Sequence, residues 1–173
     1  MTPGPAGRPA DGLAQLLDRQ RITEVLHRYC RAVDRLDHDL LLSAYHPDAV
    51  DDHGSFTGTA ADFAARTIGR MAEAYEATQH RLANVSIDLH GDTAWVESYV
   101  VATHVLAGNA IEHAGARYVD RFERRDGEWR IATRVVVLDW YTTGSRGEPS
   151  DHLSAFRPGR RDREDPSYRR DPG

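Results

Sequence analysis

The feature that most constrains the fold is a change of hydrophobic period near residue 80. Before that point three segments place apolar residues at helical spacing, and after it four segments alternate apolar and polar residues. Turn signals at Gly91-Asp92, Gly108-Asn109 and Asp126-Gly127 separate the four alternating segments. Three helices followed by a meander of antiparallel strands predict an α+β fold, in which the helices cover a curved sheet and leave a pocket beneath them.

Local signals set the expected bounds of these elements. Residues 1–11 are rich in Pro, Gly and Ala and are predicted to be a disordered arm, followed by one domain over 12–142. Asp37 and Thr59 are predicted N-caps of the second and third helices. Residues 143–173 contain few apolar anchors, so this tail is predicted to be disordered or to contact a neighbouring subunit. The long strands are predicted at 80–90, 93–106, 111–124 and 128–141.

The overall composition narrows the classes of partner. A net charge of −5 argues against a nucleic-acid surface and gives no attraction to anionic membranes. No apolar run approaches the roughly 20 residues that a membrane helix needs, and the N-terminus lacks a signal-peptide core. Cys30 is the only cysteine, which is consistent with a reducing compartment. We therefore expect a cytoplasmic protein without a nucleic-acid or membrane partner.

Four short motifs in order carry a family resemblance. They are RYCRAVD at 28–34, HPDA at 46–49 with DHG at 52–54, HRLAN at 80–84, and DGEWRI at 126–131 followed by RVV at 134–136. Over about residues 12–142 the chain resembles the SnoaL-like branch of the nuclear-transport-factor-2-like superfamily. The resemblance implies a cone-shaped α+β barrel, with three N-terminal helices on a curved mixed or antiparallel sheet. It also implies no metal, no cofactor, and a homo-oligomer (dimer or trimer) formed through the exposed sheet face.

The same resemblance suggests an activity. Scytalone dehydratase, hexachlorocyclohexane dehydrochlorinase and bile-acid 7-alpha-dehydratase are cofactor-free lyases that use a strand histidine and an aspartate of the first helix. Carried over by motif, these residues are His80 as the base and Asp34 as its orienting partner. The implied substrate is small and apolar, or like a polyketide or a steroid. Since the superfamily also contains isomerases, cyclases and ligand-binding modules, those functions and a purely structural subunit stay open.

The chemistry of His80 and Asp34 supports this pairing independently. The ordinary histidine pKa of about 6.5 suits a base at neutral pH, and a neighbouring carboxylate fixes its tautomer. Asp34 lies beside the apolar stripe of the first helix, where a carboxylate needs a partner. The alternative is an exposed Asp34 and a His80 that merely begins a strand. Strict alternation places His80 opposite the apolar face of its strand, unless a β-bulge resets the parity.

Further polar residues are candidates for supporting roles. Tyr29 and Arg134 are predicted to stabilise developing charge or the leaving group. The alternative for Tyr29 is packing in the core, and the alternative for Arg134 is an exposed position on the outer face of the sheet. Tyr45 and Tyr99 are candidates for substrate binding, with packing as the alternative. His104 is a candidate for the pocket mouth, with a solvated strand end as the alternative. A last group of residues has side chains that can bind a metal ion, namely His46, Asp51, Asp52 and His53. Their spacing in the sequence does not fit a closed structural zinc site.

Overall fold

The computed structural model describes residues 9–169 of the chain, with side chains from residue 12. The helices are α1 (Pro9–Asp34), α2 (His38–Leu42), α3 (Ala60–Ala74) and the short α4 (Asp151–Ser154). The strands are β1 (Tyr45–Asp52), β2 (Thr57–Thr59), β3 (Ala77–His90), β4 (Thr93–Val105), β5 (Ala110–Arg125) and β6 (Glu128–Ser145). The predicted N-terminal arm therefore overlaps the start of α1 at Pro9, and its residues 1–8 lie outside the described part.

Side-chain caps begin the second and third helices as predicted. The Asp37 carboxylate accepts a hydrogen bond from the backbone N–H of Leu40 at 3.1 Å. The Thr59 hydroxyl accepts from the N–H of Asp62 at the same distance. Each cap satisfies one of the N–H groups that a helix leaves unpaired in its first turn. No helix within residues 9–169 is long and apolar enough to cross a membrane.

The strands form a curved mixed sheet in the order β2-β1-β6-β5-β4-β3. Strands β3 to β6 are an antiparallel meander, whereas β1 lies parallel to β6. The tight turn between β5 and β6 uses Asp126 and Gly127, both at positive φ as a two-residue type I′ hairpin requires. The edge strands β2 and β3 do not pair, so the predicted barrel is an open sheet, and helices cover its concave face.

A bulge in β3 settles which way His80 points. Leu82 pairs with Val100 and Val85 pairs with Ser98, so β3 carries one extra residue in this interval. The extra residue resets the alternation of side chains. His80 and Leu82 therefore face the interior together with Val85 and the alternate residues after it, which resolves the parity conflict that strict alternation creates.

The convex face of the sheet is apolar in part. Its exposed large side chains include Trp95, Tyr99, Val119, Val135 and Trp140. Register places these residues on one face of β4, β5 and β6, with charged neighbours such as Arg117 between them. Exposed apolar area of this kind suits association with a partner. The homo-oligomer implied by the resemblance stays a prediction.

The C-terminal segment contacts its own chain. The Arg161 guanidinium donates to the backbone oxygens of Tyr75 at 2.6 Å and of Met71 at 2.8 Å. Arg163 forms an ion pair with Asp37 at 3.1 Å. Arginine side chains therefore hold residues 161–163 against the helices in a segment with few apolar anchors. Disorder of the tail stays a prediction. Contact with a neighbouring subunit stays a prediction.

Arg161 should contribute to stability by binding the carbonyl end of α3, where a cation also complements the helix dipole. We expect Arg161→Ala to lower the free energy of unfolding by about 1–2 kcal/mol, because two charge-assisted hydrogen bonds are lost. The matched control is Arg160→Ala, since within residues 9–169 the Arg160 guanidinium hydrogen-bonds the exposed Asp162 and no other side chain. Equal effects of the two variants in urea unfolding would contradict this role.

Candidate active site

Asp34 and His80 form a hydrogen-bonded pair between the end of α1 and β3. His80 Nδ1 lies 2.8 Å from Asp34 Oδ1, and the backbone N–H of His80 donates to Oδ2 at 2.9 Å. The Thr78 hydroxyl donates to Oδ1 at 3.0 Å. Because a carboxylate only accepts hydrogen bonds, Nδ1 carries the proton, and Nε2 of the neutral imidazole keeps its lone pair.

This pair is enclosed rather than solvated. The His80 side chain is 8% exposed and that of Asp34 is 13% exposed. The structure thus brings together the two residues that the sequence predicts as a dyad, and it excludes the exposed arrangement. Within the described part of the chain, no side chain or backbone group bonds His80 Nε2. That nitrogen is free to meet a ligand.

A cavity of about 200 Å³ lies between α3 and the concave face of the sheet, with His80 in its wall. Most of its lining is apolar, and its polar groups include the imidazoles of His53 and His104. The apolar wall includes Val33, Phe56, Phe63, Met71, Val100 and Tyr118. An apolar recess with a few convergent polar groups is the usual form of a small-molecule site.

His104 is part of this wall and is not a solvated strand end. Its ring stacks on Tyr75, with centroids 4.5 Å apart, and meets the edge of the His80 ring at 5.7 Å. Burial, together with the neighbouring His80, lowers the pKa of His104 to about 4. The residue is therefore neutral at neutral pH, and it adds no positive charge beside His80.

The lowered pKa of His104 predicts a loss of stability in acid. The ordinary histidine pKa is 6.5, so between that value and about pH 4 the unfolded chain binds more protons than the folded chain. The free energy of unfolding therefore decreases as the pH falls through this window. We expect His104→Phe, which keeps the stacking on Tyr75, to show a flatter decrease in urea unfolding. An unchanged pH profile would contradict the burial of a neutral imidazole.

A second histidine–aspartate pair borders the same cavity. His53 Nδ1 hydrogen-bonds the fully buried Asp51, whose other oxygen accepts from the Tyr45 hydroxyl at 2.5 Å. The Tyr29 hydroxyl lies 3.4 Å from His53 Nε2, and the His53 ring stacks on Phe63. Burial raises the pKa values of Tyr29 and Tyr45 well above 10, so both keep their protons. Tyr29 and Tyr45 thus contact the second pair and not His80.

From the sequence, metal-ligand chemistry was the only role considered for Asp51 and His53, and the pair they form was not predicted. Residues two apart along an extended chain project to the same side. The spacing of Asp51 and His53 at the end of β1 could therefore have predicted that the two side chains meet. His46 instead bonds the backbone oxygen of Glu123 at 2.9 Å. Over residues 9–169 no three side chains of His, Cys, Asp or Glu are grouped as metal ligands.

Arg134 and Tyr99 lie away from the cavity, which corrects their predicted positions. Arg134 binds both oxygens of Asp120, at 2.7 and 2.6 Å, and both side chains are 0% exposed. Asp120 on β5 pairs directly with Arg134 on β6, and a buried guanidinium requires such a partner. The Arg134 guanidinium also packs on two aromatic rings, 4.2 Å from the ring centroid of Tyr29 and 4.0 Å from the ring centroid of Tyr118. Tyr99 is 45% exposed on the convex face.

Breaking the Arg134–Asp120 pair should destabilise the protein strongly. Burial raises the pKa of the Asp120 carboxyl and Arg134 opposes that rise, so Arg134→Met leaves an uncompensated buried acid. We expect a loss of about 3–5 kcal/mol in the free energy of unfolding. The double variant Arg134→Met/Asp120→Val should recover at least half of that loss, because no charge then stays unpaired. Additive losses in thermal and urea unfolding would contradict this coupling.

A family model described as a SnoaL-like domain matches residues 14–135. The Mycobacterium tuberculosis protein Rv2910c, which is uncharacterized, is 28% identical over 127 residues, covering 71% of this chain and 86% of its own.

Solved structures share the fold at lower identity. The hexachlorocyclohexane dehydrochlorinase LinA-type3 from Novosphingobium barchaimii has a TM-score of 0.72 and 21% identity, covering 80% of this chain and 99% of its own. A scytalone dehydratase candidate from Novosphingobium aromaticivorans has a TM-score of 0.68 and 20% identity, covering 79% and 92%. At these identities the similarity establishes the α+β architecture and leaves the chemistry to the site itself.

Proposed function

This chain belongs to the SnoaL-like domain family, and from that premise we propose that it is a cofactor-independent lyase of the dehydratase or dehydrohalogenase type. The observation that carries the proposal is the 2.8 Å contact between His80 Nδ1 and Asp34 Oδ1 at the wall of an apolar cavity. An oriented base in a water-poor recess is what removal of a proton from carbon requires.

In the proposed reaction, Nε2 of His80 takes the proton from a carbon next to an activating group. The electron pair of the broken C–H bond forms the double bond, and the leaving group departs from the adjacent carbon. Asp34 keeps the Nδ1–H tautomer and stabilises the imidazolium that forms. Neutral His104 helps, because a second cation 5.7 Å away would oppose protonation of His80.

The size of the cavity narrows the substrate. A volume of about 200 Å³ lies below the range of about 300–1,000 Å³ typical of pockets for drug-sized ligands. We therefore propose a substrate built on a single ring, in preference to a steroid. The solved relative named for hexachlorocyclohexane is consistent with that size class. The three histidines, together with Ser55, Arg66, Thr67 and Arg70, give such a ring polar contacts at several points of a wall that is mostly apolar.

The role of His80 can be tested with β-acetoxycyclohexanone, a one-ring compound that eliminates acetate to give cyclohexenone. We expect the protein to accelerate this reaction beyond free imidazole, and His80→Ala to lower the rate about 100-fold or more, because the base is removed. The matched control is His90→Ala, since His90 contacts Asp88 in a histidine–aspartate pair that is exposed and lies outside the cavity. Formation of cyclohexenone is followed by its ultraviolet absorbance, with circular dichroism as the check of folding.

Three outcomes would count against the proposal. Retained turnover by His80→Ala would exclude His80 as the base. Binding of the compound without any conversion would indicate a ligand-binding module. A product of unchanged mass would indicate an isomerase that uses the same base.

A further inference from the structure

The two histidine–aspartate pairs lie on opposite sides of the cavity. His80 belongs to β3, at one edge of the sheet, whereas His53 directly follows β1, near the other edge. Three strands separate β1 from β3 in the sheet order, and both imidazoles line the cavity. A substrate held between them can therefore contact one imidazole on each side.

The geometry of the His53–Asp51 pair suits a proton donor. Asp51 is fully buried and accepts hydrogen bonds from His53 Nδ1 and from the Tyr45 hydroxyl, so its charge is held beside the imidazole. In the imidazolium form of His53, Nδ1–H donates to this carboxylate and Nε2–H is a strong charge-assisted donor at the cavity wall. The contact of Nε2 with the Tyr29 hydroxyl is long, at 3.4 Å, and a substrate oxygen can replace it.

His53 also has the solvent contact that a recycling acid needs. Its side chain is 28% exposed, whereas that of His80 is 8% exposed. A proton given to a substrate can therefore be regained from water at the more open residue. Stacking on Phe63, with ring centroids 4.4 Å apart, keeps the imidazole oriented during that exchange.

The need for such an acid depends on the leaving group. Halide and carboxylate ions are stable in water and leave carbon without a proton. Hydroxide is a poor leaving group, so loss of water from an alcohol is accelerated when an acid protonates the departing oxygen. A site with a base alone suits the first class, and a site with a base and a separate acid suits the second.

We propose that His53 is a second catalytic residue that protonates the leaving group, and that the substrate class is β-hydroxy carbonyl compounds, which lose water. This inference rests on the proposed function of His80. The C–H proton passes to His80 Nε2, the double bond forms, the C–O bond breaks, and the Nε2 proton of His53 completes the water molecule. Solvent then removes the proton from His80 and restores the one on His53, so the net reaction is alcohol to alkene plus water.

Two one-ring substrates with the same product test this assignment. β-Hydroxycyclohexanone and β-acetoxycyclohexanone both give cyclohexenone, so one absorbance assay reports both reactions. We expect His80→Ala to lower kcat/KM for both compounds. We expect His53→Gln to lower the ratio of kcat/KM for the hydroxy compound to that for the acetoxy compound by about 100-fold, as loss of a general acid predicts.

The possible results separate the two proposals. If His80→Ala lowers both rates and His53→Gln lowers them equally, His53 only shapes the cavity, and the inference fails while the base assignment stands. If His80→Ala lowers neither rate, the proposed function itself fails.

A measurement on the unaltered protein needs no variant and guards against misfolding of His53→Gln. With an acid in place, kcat/KM for the hydroxy compound should lie within about 100-fold of that for the acetoxy compound. A far larger preference for acetate would overturn the proposed role of His53.

Discussion

Three enclosed carboxylates constrain how this protein is arranged around its cavity, because an unpaired carboxylate in an apolar interior is strongly unfavourable. Asp34 ends α1 and takes its hydrogen bonds from β3. Asp51 lies one residue before the end of β1 and takes its bonds from Tyr45 of the same strand and from His53 directly after it. Asp120 is satisfied across the β5–β6 register by Arg134. The Asp34 and Asp120 pairings each fix the relative position of two elements, whereas the Asp51 pairing fixes the local conformation at the end of β1.

The same pairings divide the cavity into positions with different proton chemistry. His80 and His53 each present Nε2, because each Nδ1 faces a carboxylate. Among residues 9–169 no carboxylate forms an ion pair with His104, and burial keeps it neutral. An apolar wall strengthens these differences, since charges in a low-dielectric site are weakly screened. Histidine thus occupies three positions within a single recess: His80 and His53 each have a carboxylate at Nδ1 but differ in solvent exposure, and His104 is buried and neutral.

Periodicity and capping chemistry predicted most of the fold. The helical and alternating segments, the caps at Asp37 and Thr59 and the Asp126-Gly127 hairpin are local features, which a sequence encodes directly. The resemblance predicted the contact of His80 with Asp34. The direction of the His80 side chain depended on a bulge between residues 82 and 85, which the alternation of apolar and polar residues does not reveal. The Arg134–Asp120 pair depends on β5–β6 register, and the place of Tyr99 on the convex face depends on which sheet face is covered. Strand register and the covered face of the sheet depend on contacts between distant parts of the chain. The local sequence pattern therefore could not predict them.

The buried ion pair connects this register to the chemistry of the cavity. The Arg134 guanidinium packs on the rings of Tyr29 and Tyr118, as a cation held against aromatic faces. Tyr118 lines the cavity, and the Tyr29 hydroxyl reaches His53. A change at Arg134 would therefore disturb the packing of Tyr118 in the cavity wall as well as weaken the sheet, although Arg134 itself does not line the cavity.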